Sequence, residues 1–199
     1  MLTLWLADLD AQPGQEKWCH SAQQAEAETE GRRHIPVAIG IGLNTGQATV
    51  GNFGSAQRLT YSCLGDEVNL ASRLEGQCKI YGVGIAVGEN TCRAVADFAT
   101  LELDLILVKG KTRPVAVYEI LDYHTEETYP RVSDALGRFR DGLAKYRRRD
   151  FGPARALFEE VLAINPGDKA AQMYVERCDL LAANPPAPDW AGVWVMDTK

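Results

Sequence analysis

The 199-residue sequence lacks long hydrophobic runs, an excess of basic residues and closely paired cysteines. No apolar run approaches the roughly 20 residues that a membrane-spanning helix requires. The apolar start at residues 2–6 is too short for a signal peptide and has no basic segment before it. The formal net charge of −6 argues against binding to nucleic acid or to a membrane surface through bulk charge. These absences predict a globular protein with no membrane segment.

The five cysteines are odd in number, widely separated and never arranged as CxxC: Cys19, Cys63, Cys78, Cys92 and Cys178. This pattern indicates neither a disulfide framework nor a zinc site. We therefore expect reduced thiols and a cytoplasmic location. The composition, with 46% hydrophobic and 24% charged residues, is typical of a soluble globular protein. The length allows one ordinary domain plus an appendage.

The most informative stretch, residues 61–76, is predicted to form a strand, a turn at Gly65 and a helix. Asp66 is expected to be the N-cap, because its carboxylate can accept the free N–H groups of the first helical turn. The apolar residues of this helix cluster on one side. Asn69 and Arg73 are four residues apart, so they lie one above the other on the opposite side.

An amide and a guanidinium on one helix face suit an anionic ligand, because a guanidinium is always charged and forks onto phosphate oxygens. Spacing alone leaves a second interpretation open. In that interpretation Arg73 pairs with Glu75 or with solvent, and Asn69 is only a surface residue.

Glycines are concentrated in residues 40–54. An extended segment at 36–43 is followed by a turn at 44–46, a second extended segment at 47–52 and a second turn at 52–55. The glycines of the first segment allow close backbone approach or mark a packed strand crossing. The stretch matches neither GxGxxG nor GxxxxGK[ST]. Hairpin turns are therefore favoured over a phosphate-binding loop.

Further strands and helices are predicted before and after these stretches of the sequence. Strands are predicted at residues 2–6, 58–62, 83–87, 100–108 and 115–121, and helices at 15–30 and 89–95. Residues 109–112 form a turn with two lysines, which either contact phosphate or are solvated as most loop lysines are.

The composition changes after residue 121. Residues 122–132 form a predicted linker, and residues 185–199 combine a proline-rich linker with a tail that contains two tryptophans. Between them, residues 133–184 have helical periodicity, with helices near 133–148, 152–164 and 168–183. The two tryptophans are interpreted as anchors that pin the tail to a hydrophobic surface.

Within the helical segment, the spacing of Tyr146, Phe151, Ala154 and Phe158 resembles one tetratricopeptide repeat. Because a single repeat is rarely stable alone, these helices are expected to dock on the main domain or on further chain. The basic cluster of the segment is interpreted as a solvated helix face; it comprises Arg138, Arg140, Lys145, Arg147, Arg148 and Arg149.

Four motifs in fixed order resemble the class III adenylate/guanylate cyclase catalytic domain. They are residues 39–46, residues 50–55 with Arg58, residues 65–76, and residues 108–111 with 117–118. The resemblance covers roughly residues 1–121 and implies a ferredoxin-like α/β (α+β) domain, followed here by the tetratricopeptide-like helical extension. The tail resembles that of bacterial adenylate cyclases that carry an extracytoplasmic CHASE2 sensor and a membrane anchor.

The resemblance implies a homodimer or heterodimer that binds ATP across its interface, together with Mg²⁺ or Mn²⁺ ions held by two aspartates of one subunit. Asn69 and Arg73 match the family's residues that orient the ribose and stabilise the pentavalent phosphorus. Lys109 matches the lysine that binds the terminal phosphates, and Ser62 matches the position that reads the adenine. The family usually has Asp or Thr at that position, so ATP is favoured over GTP only weakly.

The segment that carries the metal-binding aspartates is expected to lie before Met1, so the chain has the character of an N-terminally truncated domain. No metal ligand is assigned within it, and Asp8 and Asp10 are not promoted to that role. The ions would be bound by a partner subunit or the missing half. The chain alone is therefore expected to be inactive or nearly so. The alternative is a non-catalytic, cyclase-like module that binds a partner protein.

Overall fold

A computed structural model describes residues 2–7, 39–55, 57–95, 97–107 and 112–196, with only the backbone described at 2–7. The predicted helix at 15–30, Cys19 and the turn lysines Lys109 and Lys111 lie outside the described residues.

Eight strands and five helices occur in the described part of the chain. The strands are β1 (Leu2–Ala7), β2 (Gly40–Thr45), β3 (Thr49–Ser55), β4 (Arg58–Leu64), β5 (Ile85–Gly88), β6 (Thr100–Leu107), β7 (Val115–Ile120) and β8 (Trp194–Val195). The helices are α1 (Asp66–Tyr81), α2 (Glu89–Ala94), α3 (Val132–Arg147), α4 (Phe151–Ile164) and α5 (Lys169–Ala183).

Six strands form a mixed sheet in the order β1-β2-β5-β7-β6-β8. The pairs β2–β5 and β6–β8 are parallel, and the other three neighbouring pairs are antiparallel. Strands β3 and β4 form a separate two-stranded antiparallel hairpin. The predicted α+β class is therefore confirmed. The glycine-rich stretch contributes β2 and β3, and β3 forms its hairpin with β4 rather than with β2.

Helix α1 packs directly on the sheet through β2. A Cβ atom on Gly42 would lie 2.2 Å from the carbonyl oxygen of Ala71, so the glycine allows the two backbones to touch. The face of α1 that packs on the sheet is apolar, and its Leu70, Ala71 and Leu74 are buried. The interpretation that the glycines of this strand permit close backbone approach is confirmed at Gly42.

Two local predictions are wrong. Asp66 is not the N-cap of α1, because Gly65 occupies that position and Asp66 is the first helical residue. A negative charge at this position is still favourable, since it lies at the positive end of the helix dipole. Residues 52–55 are not a turn, because β3 continues to Ser55. Gly54 has a φ of 135°, and a side chain there would meet the Arg58 carbonyl oxygen, so a glycine allows the strand to run up to the hairpin end.

The helical extension packs around buried aromatic rings. Phe158 and Tyr174 stack with centroids 4.7 Å apart, and Phe139 meets both edge-on at 5.2 and 5.7 Å. The Tyr174 hydroxyl also lies 2.8 Å from the Leu103 carbonyl oxygen of β6. The three predicted helices are confirmed, and so is their docking on the main domain. The tetratricopeptide-like character and the domain boundaries stay predictions.

The tail returns to the same region. Trp190 packs edge-on against Tyr146 with centroids 5.2 Å apart, and Trp194 lies in β8, paired with Ile106 of β6. This confirms the interpretation of the tryptophans as anchors. The tail thereby covers the outer end of β6, an edge that would otherwise offer unpaired backbone groups.

The basic cluster of α3 is only partly a solvated face. Arg148 is exposed, but Arg147 is half-buried and pairs with Glu102 of β6. Arg140 donates to the Thr100 carbonyl oxygen at 3.0 Å. Spacing alone could not show these partners, because they come from a strand about 40 residues earlier in the chain. Among the residues that the structure describes, no helix is long and apolar enough to cross a membrane.

Candidate functional site

The hairpin, Gly65 and α1 together carry three of the four predicted site residues. Ser62 lies on β4, where it is exposed and faces Gly51 across the hairpin. Asn69 ends the first turn of α1, with its backbone N–H bonded to the Gly65 carbonyl oxygen at 3.1 Å. Arg73 follows one helical turn later on the same side.

Burial divides α1 into two faces, as the sequence predicts. Val68, Leu70 and Leu74 are at most 6% exposed, whereas Asn69 is exposed and Arg73 is half-buried. The amide and the guanidinium therefore face away from the core. This placement leaves both groups within reach of a molecule outside the domain.

Neither Asn69 nor Arg73 uses its side chain within the domain. In the described parts of the chain, no hydrogen bond joins either side chain to another residue, and the Arg73 guanidinium has no ion pair. A pair between Arg73 and Glu75 is therefore not observed, as the spacing of two residues on a helix implies, whereas the interpretation that Arg73 contacts solvent and Asn69 is a surface residue stays open. An arginine held on a defined helix face without an internal partner is suited to an external anion.

Asn44 fixes the first turn of α1. Its side-chain amide is 1% exposed and donates to the Glu67 carbonyl oxygen at 3.1 Å and to the Glu67 carboxylate at 2.7 Å. Gly88 leaves room for it, since a Cβ there would lie 2.5 Å from Asn44 Oδ1. The sequence pattern interpreted Asn44 only as a turn residue. Its position at the end of a strand, just before Thr45 and Gly46, was the available signal.

An open pocket of about 510 Å³ lies beside the N-terminal end of α1. Its lining comes from the segment between β2 and β3 and from the junction of β4 with α1: Gly46, Gln47, Ala48, Thr49, Leu64 and Gly65. The pocket thus adjoins the end of α1 at which backbone N–H groups carry partial positive charge.

Two further predictions concern Lys109 and the metal ions. Lys109 falls outside the described residues, in the segment that connects β6 to β7. Within the described ranges, no group of three or more His, Cys, Asp or Glu side chains could hold a metal ion.

Comparison with known proteins gives one family. The sequence profile described as "Adenylate and Guanylate cyclase catalytic domain" matches residues 19–128. The chain is 34% identical over 152 residues to "Adenylate cyclase, terminal-differentiation specific" of Dictyostelium discoideum. The aligned region covers 74% of this chain and 7% of that protein. It is 35% identical over 95 residues to the adenylate cyclase of Anabaena cylindrica, which covers 45% of this chain and 19% of that protein.

Among solved structures, the adenylyl cyclase CyaB from P. aeruginosa is similar, with 36% sequence identity, 52% of each chain covered and a TM-score of 0.43. The chain spans less than a fifth of the length of the Dictyostelium and Anabaena relatives.

Proposed function

The chain belongs to the class III adenylate and guanylate cyclase catalytic-domain family, and from this membership we propose that it acts in the conversion of ATP to cyclic AMP and pyrophosphate, in signal transduction. The observation that carries the proposal is the display of Asn69 and Arg73 on the exposed face of α1, without a partner among the described residues. This exposure supports the proposal, because both groups can reach a molecule outside the domain.

Each residue is assigned a role that suits its chemistry. The Asn69 amide can both donate and accept hydrogen bonds, which suits orienting a ribose. The Arg73 guanidinium offsets negative charge that develops on the phosphorus as the 3′-hydroxyl attacks and pyrophosphate leaves. The Ser62 hydroxyl can exchange hydrogen bonds with adenine. Lys109 is proposed to bind the terminal phosphates.

Mg²⁺ or Mn²⁺ ions would activate the attacking hydroxyl and offset phosphate charge when bound. On the basis of the family resemblance, we assign the ions to a partner subunit; among the residues that the structure describes, no group of ligands for them occurs. The chain then contributes Asn69 and Arg73 to a shared site. By itself it would be inactive or very weakly active.

The hairpin offers a surface for that partner. Leu59 and Tyr61 are two residues apart on β4, so they share one face, and they are 62% and 74% exposed. Val50, which is 45% exposed, pairs with Cys63 and therefore lies on the same face. A contiguous exposed apolar face of this kind favours association with another protein. We propose that this hairpin face contacts the partner subunit in a homodimer or heterodimer.

A complementation assay tests the proposal. The full chain is mixed with a cyclase domain that keeps its metal-binding aspartates but has its own Asn and Arg replaced, and cyclic AMP is measured with Mn²⁺ and ATP. The mixture is expected to be active, and Arg73→Ala is expected to lower its activity by about 100-fold or more, as loss of a transition-state donor does. Asn69→Ala should act in the same direction.

Arg148→Ala is the matched control, since it removes an exposed arginine from the extension and should leave activity unchanged. Association of the two proteins without any cyclic AMP would contradict the enzymatic proposal. That outcome would favour the second candidate, a non-catalytic module that binds a partner protein, for which the apolar hairpin face alone is sufficient.

A further inference from the structure

A buried carboxylate joins three elements at the far end of α1 from the N-terminal pocket. Asp104 of β6 is 1% exposed. Its Oδ2 accepts hydrogen bonds from the Tyr81 hydroxyl at 2.7 Å and from Arg177 Nη1 at 2.6 Å. Its Oδ1 accepts from the Tyr174 hydroxyl at 2.9 Å and from the Leu105 N–H at 2.8 Å. A single side chain therefore links the main sheet, α1 and the helical extension.

Arg177 and Asp104 form a buried ion pair, and both charged groups have further partners. Burial alone would lower the pKa of Arg177, but attraction to Asp104 raises it, so the guanidinium stays charged. Its planar group lies over the Trp194 ring, 4.1 Å from the centroid, and Tyr174 is within 5.3 Å. Because a buried charge without its partner is strongly unfavourable, these groups hold one another in a single arrangement.

The cluster holds the helix that carries the candidate site. Tyr81 is the last residue of α1. Arg73 is eight residues earlier and Asn69 twelve, which corresponds to about 12 and 18 Å along the helix axis. At the other end, Asn44 is hydrogen-bonded to Glu67. Helix α1 is thus attached at both ends, and its C-terminal attachment is to Asp104 of β6, the carboxylate that Tyr174 and Arg177 of the extension also bond.

The end of α1 also contacts the extension directly. Gly82 terminates the helix with a φ of 72°, and a Cβ there would come within 2.8 Å of the Lys169 side chain of α5. The extension therefore meets α1 through one close contact and one hydrogen-bonded cluster.

We propose that Asp104, Tyr174 and Arg177 are positioning residues for Asn69 and Arg73: through Tyr81 they hold α1 in place, so the helical extension sets the geometry of the site. This inference rests on the proposed function, which supplies the reaction that the position of α1 would affect. It gives the extension and its tail a role in activity beyond stability.

Tyr81→Phe tests the inference most directly, because it removes one hydroxyl and leaves the Asp104–Arg177 pair intact. In the complementation assay with the full chain, kcat should fall about tenfold, as a small misplacement of catalytic groups does. The KM for ATP should change less than about twofold.

Thr91→Val is the matched control. Thr91 of α2 is fully buried, and its hydroxyl is hydrogen-bonded to the Thr45 hydroxyl of β2 at 3.0 Å, so the substitution removes one buried hydroxyl that contacts neither Tyr81 nor α5. Each variant loses one buried hydroxyl, but only Tyr81→Phe should lower kcat. Equal kcat values for the two variants would overturn the inference.

Amide hydrogen exchange gives a readout that does not depend on activity. In Tyr81→Phe the amides of residues 69–81 should exchange faster than in the wild type, while in Thr91→Val they should not. Unchanged exchange in Tyr81→Phe would overturn the positioning role. Absence of cyclic AMP with wild-type chain would overturn the proposed function instead, and the exchange experiment would then decide alone whether the cluster holds α1.

Discussion

Gly42 and Ala71 lie in backbone contact, because a Cβ on Gly42 would be 2.2 Å from the Ala71 carbonyl oxygen and 2.4 Å from the Glu75 nitrogen. Real Cβ atoms do not approach a backbone so closely, and neither a strand nor a helix backbone can move aside easily. This contact sets the distance between β2 and α1. Through α1 it also sets the height of Asn69 and Arg73 above the sheet.

We predict that Gly42→Ala destabilises the protein by about 3 kcal/mol, the upper part of the range for overpacked interiors. Urea unfolding monitored by circular dichroism measures the loss. Gly76→Ala is the control, because Gly76 lies in α1, the helix that Gly42 contacts, with nothing within 4 Å of an added Cβ. It should stabilise by about 0.5–1 kcal/mol, since alanine is the better helix former. Equal effects of the two substitutions would contradict the close contact.

The buried pair of Asp104 and Arg177 predicts non-additive substitutions. Arg177→Met leaves a buried carboxylate without its cation and should cost about 3–5 kcal/mol. Combining it with Asp104→Leu removes both charges, so the double variant should be less destabilised than the sum of the two single variants. Urea unfolding of all four proteins measures the coupling free energy. Strictly additive losses would show that the two charges do not stabilise each other.

The apolar hairpin face predicts an association defect without a folding defect. Replacing Leu59 and Tyr61 by serine should weaken association of the chain with itself or with a cyclase partner, measured by sedimentation velocity. The Tm should change little, because both side chains are more than 60% exposed. Leu180→Ser is the control, as Leu180 is 51% exposed on α5. An equal loss of association in the control would remove the hairpin's special role.

Thiol reactivity should separate the described cysteines into two pairs. Burial raises the pKa of Cys78 to about 12 and that of Cys178 to about 11, so both stay protonated at pH 8, whereas Cys63 and Cys92 are only half-buried. Labelling with a thiol reagent at pH 8, located by mass spectrometry, should modify Cys63 and Cys92 first. Fast labelling of Cys78 in the folded protein would contradict its burial.

The same burial predicts the sign of a pH effect. The folded-state pKa of Cys78 lies above its ordinary value of 9.0, so the folded state holds this proton more tightly than the unfolded chain does. The stability that this provides is complete below pH 9 and is lost as the pH rises through about 12. Cys78→Ala should therefore unfold with a flatter pH dependence than the wild type between pH 9 and 12, as measured by urea midpoints.

Much of the site could be predicted from local pattern. The four-residue spacing of Asn69 and Arg73 predicts that they share a helix face. The apolar residues around them predict which face of the helix is buried. The order of the glycine-rich strand, the hairpin and α1 carried the family resemblance. Local pattern gave the wrong end for one helix and one strand. Gly65 rather than Asp66 is the N-cap of α1, and β3 runs through residues 52–55.

The remaining features depend on residues far apart in the chain. Asn44 and Glu67 are 23 residues apart, and Asp104 and Arg177 are 73 apart, so neither pair leaves a periodic signal. The basic cluster of α3 read as a solvated face because the partners of Arg140 and Arg147 come from β6. Long-range pairs of this kind are formed by packing, which local spacing does not encode.

The amino-acid sequence by itself determined most of the helices and strands of this protein, the placement of Asn69 and Arg73 on one helix face and the membership in a cyclase family, because helical and strand periodicities and ordered motifs are local properties. Only the tertiary structure decided what holds that pair in place. The Gly42 contact, the Asn44 bonds and the Asp104 cluster each join distant segments, and a buried polar group is stable only where such partners meet it.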